Sequence, residues 1–166
     1  MQKNSSSVLF LVLVACAVVF VWFTSRFLPE VVASHFGASG AANGFMPRTF
    51  YVRFMLVFVA ALPLFVVFLT TATLNSPNVR INLPHREYWL APEQRAETIE
   101  YLRQHMARFG TMLVVFLCSV HWLVVRANAV VPPTLSSSWF IGGLVVFLVS
   151  ALVWTRVLLV RFRKAP

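Results

Sequence analysis

Four stretches of this chain are long, apolar and nearly free of charge, and nothing else in the sequence restricts its fold as tightly. The first runs uncharged from Asn4 to Ser25, and Val8 to Phe23 is wholly apolar. At ~1.5 Å per helical residue it reaches about 33 Å, enough for a hydrocarbon core of about 30 Å. The second is Phe54 to Leu74, broken only by Pro63. The third, Phe109 to Val125, contains His121, and the fourth, Trp139 to Val160, carries Arg156 one turn from its basic end. A backbone in lipid must satisfy its own N–H and C=O groups, so runs of this kind become helices. Of 166 residues, 59% are hydrophobic and 11% charged, against about 45–50% and about 25% in soluble domains. The expected fold is an all-α integral membrane protein, a single domain over 1–166. Its transmembrane helices are expected at about 6–27, 53–74, 109–126 and 138–160, arranged as an up-down bundle.

Ala15-Cys16-Ala17 and Leu13-Val14-Ala15-Cys16 resemble processing sites, but the apolar run continues to Phe23, so an uncleaved anchor is expected. The two cysteines, Cys16 and Cys118, have no metal-ligand spacing.

The net charge is +9, from fourteen Lys and Arg against five Glu, with no Asp. The basic residues sit at the ends of the apolar runs, where anionic headgroups attract them. No basic stripe has the interleaved aromatics of a nucleic-acid groove, so the lipid bilayer is the expected partner and nucleic acid is not. Orientation follows from the Lys and Arg count on each side. Lys3, five Arg between Asn75 and Arg108, and Arg161, Arg163 and Lys164 make nine on one side. Arg26, Arg48, Arg53 and Arg126 make four on the other. Both termini and the middle loop are expected in the cytoplasm.

Within that middle loop, Ala91-Pro92-Glu93 reads as a helix start. Ile99, Leu102, Met106 and Phe109 then recur every three or four residues, with Glu93, Arg95, Glu97, Glu100 and Arg103 on the other side. The pattern predicts an amphipathic cytoplasmic helix over 92–108. Gly110 alone does not stop a helix, so the third span is expected to extend into the cytoplasm as one long helix. The first external loop, 28–52, is long, and Gly37, Gly40 and Gly44 allow tight turns.

His121 is the only His inside a span, and ionisable groups at membrane depth are functional suspects. The expected topology brings it towards Glu30, His35, Phe36, Asn43 and Asn128, which define a candidate external binding pocket. His35 is expected to approach His121 or Asn128. A second candidate patch is His85, Arg86, Glu87, Tyr88 and Trp89, at the inner interface. No complete catalytic set is present: without an Asp there is no Ser/His/Asp arrangement, and no compact metal motif such as HExxH occurs. No cofactor, metal site or catalytic residue is therefore assigned.

Leu28-Pro29-Glu30-Val31-Val32-Ala33-Ser34-His35-Phe36, followed by Gly40 and Asn43-Gly44, resembles a bacterial domain of unknown function. That domain usually reads L-P-x-x-I-P-x-H-F-x-x-x-G-x-x-D-G. It is found at the start of SdpI-type immunity and signalling membrane proteins and in small four-span proteins. Tyr88-Trp89-Leu90-Ala91-Pro92-Glu93 looks like a segment that follows in those small members. Here Ala33 replaces the second Pro and Asn43 replaces the Asp, which removes a carboxylate from that position. The resemblance implies a bacterial inner-membrane protein that binds or senses something through its external loop, a peptide toxin or a protein partner. Two alternatives differ in class: a metal-dependent membrane enzyme using Glu30, His35 and His121, and an accessory subunit docking through 92–108.

Overall fold

The computed structural model describes residues 5–76 and 81–163. Lys3, Arg80 and Lys164, which enter the basic count, lie outside the described residues. The chain forms helix α1 (Ser5–Thr24), strands β1 (Val31–Phe36) and β2 (Ala42–Pro47), and helices α2 (Arg48–Asn75), α3 (Arg86–Trp89), α4 (Pro92–Ala127) and α5 (Ser137–Phe162). Four of the helices are long and apolar enough to cross a membrane, as in a multi-pass membrane protein.

Spacing decides which faces of these helices meet. Phe10, Val14, Ala17, Val21 and Thr24 of α1 are buried at intervals of four and three. Along the first part of α2 the buried positions are Tyr51, Met55, Val59 and Pro63, one per turn, and Leu74 is buried near its end. From α4 come Ala107, Gly110, Val114, Leu117, His121, Val124 and Val125. Stripes with that repeat stay in register along neighbouring helices, and these three helices form the main core. At Gly110 a side chain would meet the Phe10 ring and Val67 at 2.7 Å. The missing Cβ therefore lets α1 and α2 close on α4, and the helix runs unbroken through it.

Two expectations about the fold need correction. The chain is not wholly helical: residues 31–47 form an antiparallel hairpin, with Val31 opposite Pro47 and His35 opposite Gly44. Nor do the four long helices close into one bundle. α5 packs on α4 and makes no comparable contact with α1 or α2, and Phe162 is its one buried residue. Between α4 and α5 lies an open apolar cleft of about 680 Å³, with Phe116, Trp139, Gly142 and Phe147 on its walls.

The hairpin and the α4–α5 connection share one end of the molecule, where Ala42 N–H donates to the Pro133 carbonyl and Leu135 N–H to that of Gly40. At the opposite end Leu74, Trp89, Ile99, Leu102 and Phe162 form a second, smaller core. Just inside it, His105 and Trp154 tie α4 to α5. Each ring donates to the other's backbone carbonyl, at 3.0 and 2.8 Å, and the rings stack 4.4 Å apart.

Candidate functional site

His121 sits in the three-helix core, fully buried. Its Nε2 is 2.8 Å from Thr24 Oγ1 on α1, and its Nδ1 is 3.1 Å from the Tyr51 hydroxyl on α2. The proton positions follow from counting donors. Thr24 spends its own hydroxyl proton on the Phe20 carbonyl, 2.7 Å away, so its oxygen accepts from His121. Nε2 therefore carries the imidazole proton, and Nδ1 accepts from Tyr51. The chain of bonds runs Tyr51, His121, Thr24, Phe20, with every donor used and no net charge. Tyr51 also stacks on the imidazole at 5.8 Å, and Phe20 meets its edge at 6.0 Å.

Directly after this helix face comes Asn128, the C-terminal cap of α4. Its amide grips β1: Oδ1 accepts from Ala33 N–H at 2.8 Å and Nδ2 donates to the Ala33 carbonyl at 2.9 Å. A side-chain amide carries the same donor and acceptor as a peptide group, so Asn128 occupies the place of a neighbouring strand. Nδ2 also donates to the Val124 carbonyl, which ties the cap to its own helix. Arg48 holds the hairpin's base, its amide donating to the Glu30 carbonyl and its guanidinium to that of Leu28. Gly40, at φ 83° and pressed against the Leu135 carbonyl, fixes the tip.

So held, the hairpin buries Val32 and Ala33 completely and turns other residues out. Val31 is 61% exposed and Phe45 57%. The register puts Val31 opposite Pro47 and Ala33 opposite Phe45, so all four share a face, along which Val31, Phe45 and Pro47 are exposed and Ala33 is buried. Glu30, His35 and Asn43 are also exposed, and Phe36 is half-buried against the main core. His35 bonds to Ser34 Oγ at 3.1 Å, and its Cβ lies against Gly44.

The expected pocket is thus divided. Asn128 reaches the hairpin, but it takes the backbone at Ala33 and not the His35 ring. Thr24 and Tyr51 take both nitrogens of the buried His121 imidazole, and His35 bonds instead to the neighbouring Ser34. Glu30, His35 and His121 accordingly do not gather: among the described residues no three His, Cys, Asp or Glu side chains are placed to share a metal ion.

The second candidate patch is part buried and part exposed. Trp89 is buried in the small core, edge-on to Phe162 at 5.3 Å and to Tyr88 at 5.0 Å. His85, in the left-handed conformation at φ 49°, contacts the Arg163 carbonyl through Nε2 at 3.1 Å. Arg86 and Glu87 remain exposed.

Thr24 and Tyr51 were not legible as site residues from their types alone. Their positions held a usable signal, since each continues the buried stripe of its helix, where a hydroxyl needs a partner.

Residues 11–61 match the model of a family described as Domain of unknown function (DUF1648). The similarity covers most of α1, the hairpin and the first half of α2, and so includes Thr24, Tyr51 and every residue of the hairpin. No curated protein and no solved structure matches the chain.

Proposed function

We propose that this is a non-catalytic protein of the bacterial inner membrane that recognises a peptide or protein partner through its hairpin. Both termini and the first turns of α4 lie in the cytoplasm in this reading, and the hairpin lies outside. One observation carries it: an ordered hairpin, pinned by Asn128 and Arg48, turns an apolar face of Val31 and Phe45 outward. A plain connection between two helices usually takes about 2–8 residues and needs no such device. A resemblance to SdpI-type proteins makes protection against a membrane-active peptide the specific form of the proposal.

The test compares growth inhibition by a panel of membrane-active peptides in cells with wild-type protein, with Val31→Ser/Phe45→Ser, with His35→Ala/Phe36→Ala, or with none. Wild type should raise the inhibitory concentration of at least one peptide, and the hairpin variants should lose that effect at equal membrane abundance. Undiminished protection by both variants, or no protection by wild type, rejects the proposal.

A second reading, an accessory subunit of a larger membrane complex, is favoured by α5. Its two consecutive glycines, Gly142 and Gly143, have next to nothing packed on them, and small residues allow close helix approach within a membrane.

A further inference from the structure

Beside the hairpin's base, α1 and α2 leave between them a groove of about 480 Å³. On one wall the chain turns from α1 through Ser25 and Arg26, and on the other α2 begins with Arg48, Thr49 and Arg53. Trp22, Val52 and Leu56 continue the groove along the apolar flanks of the same helices. Its two halves are therefore a cationic head and an apolar slot.

We infer that this groove binds the phosphate group of a membrane amphiphile, with the acyl or isoprenoid chain lying along Trp22, Val52 and Leu56. Three independent features point to an anion. None of the three arginines has a carboxylate in ion-pair range among the described residues, where the ion pairs formed are Arg103–Glu100 and Arg161–Glu97. Glu30 is the sole acidic residue before Glu87 and is paired with none of them. Ser25 is 4% exposed, lines the groove, and its hydroxyl has no hydrogen-bond partner. A buried hydroxyl left so is costly unless something meets it. Finally, α2 starts at this spot with Pro47 before it and no side-chain cap. Beyond that of Arg48, its first-turn amides have no intrahelical partner, and the positive end of the helix dipole lies at the groove's head, where Arg48 and Thr49 line it.

The arginines play unequal parts. Arg48 is already anchored on the Leu28 carbonyl and fixes the geometry. Arg26 leans on the Phe23 ring at 5.5 Å, and Arg53 has no hydrogen bond or ion pair among the described residues. Arg26 and Arg53 are the two guanidinium forks open to phosphate oxygens, a geometry suited to bidentate bonds. Basic residues at a membrane surface attract anionic lipid in general. A built site differs in holding one ligand stoichiometrically and in depending on these two residues more than on other surface arginines.

This inference is independent of the hairpin's partner, and its variants leave Val31, Phe45 and His35 untouched. The full chain is purified in maltoside, exchanged with phosphatidylglycerol or with inorganic phosphate, and weighed by native mass spectrometry. One phosphatidylglycerol per chain should be retained. Arg26→Gln/Arg53→Gln should weaken retention by about tenfold or more, the scale of a lost charge-assisted bond. Arg26→Lys/Arg53→Lys should fall between, and Arg126→Gln, at the same end outside the groove, should match wild type. Ser25→Ala should weaken retention with circular dichroism unchanged. Binding of inorganic phosphate without lipid retention would overturn the membrane source of the ligand. No stoichiometric adduct, or equal losses in Arg126→Gln, would overturn the site.

Discussion

Removing the whole Thr24–His121–Tyr51 chain should cost less than the sum of the losses from removing its members one at a time. Thr24→Val deletes the acceptor for the imidazole N–H inside a fully buried site. The ring can move its proton to Nδ1 and donate to Tyr51, but the phenolic hydrogen is then left without an acceptor. Tyr51→Phe leaves Nδ1 empty by the same count. An orphaned buried group costs about 1–3 kcal/mol, whereas polar contacts between membrane helices measured by mutant cycles average only about 0.6 kcal/mol. We expect about 1–2 kcal/mol for each single change, because burial leaves no water to take over. The triple variant Thr24→Val/Tyr51→Phe/His121→Leu keeps comparable volume and leaves no orphan. Its loss should therefore fall clearly below the sum of the singles, which is the signature of coupled residues. Equilibrium unfolding in mixed micelles measures all the variants. Additive losses would refute the coupling and reduce the three contacts to independent packing.

Asn128→Ala should release β1: hydrogen exchange at the Ala33 amide should speed up by about one to two orders of magnitude, as expected for two lost bonds of about 1 kcal/mol each. Asn128→Asp, which can still accept from Ala33 N–H but cannot donate to its carbonyl, should lie between. In a chain freed of Cys16 and Cys118, a cysteine at Ser39 should react with a membrane-impermeant maleimide on intact cells, and one at Gln94 only after permeabilisation. The opposite pattern would invert the proposed orientation.

The helices were legible because lipid imposes one requirement, an uncharged run of sufficient length, and four runs meet it. The hairpin was hidden by several local features. A bulge between Ala33 and His35 breaks the alternation that marks a strand. β2 contains a glycine and ends in a proline, residues that argue against strands. Asn43-Gly44, a familiar turn pair, lies within β2, while the tip is made by Gly37–Ala41. His121 stood out because a histidine within an apolar run is conspicuous. Its partners come from two other helices, and only tertiary packing selects them. Arg26, Arg48 and Arg53 entered the sequence reading only as a charge count, since their convergence depends on how α1 and α2 meet.

The threonine that closes the His121 chain also bears on how the protein enters the bilayer during synthesis. Because Thr24 donates to the carbonyl of Phe20 in its own helix, its hydroxyl is satisfied before the rest of the core is in place. The imidazole arrives with α4, the last of the three core helices to emerge from the ribosome, and it alone requires both neighbours to be already in place. We therefore expect α1 and α2 to form a receptive pair that α4 completes.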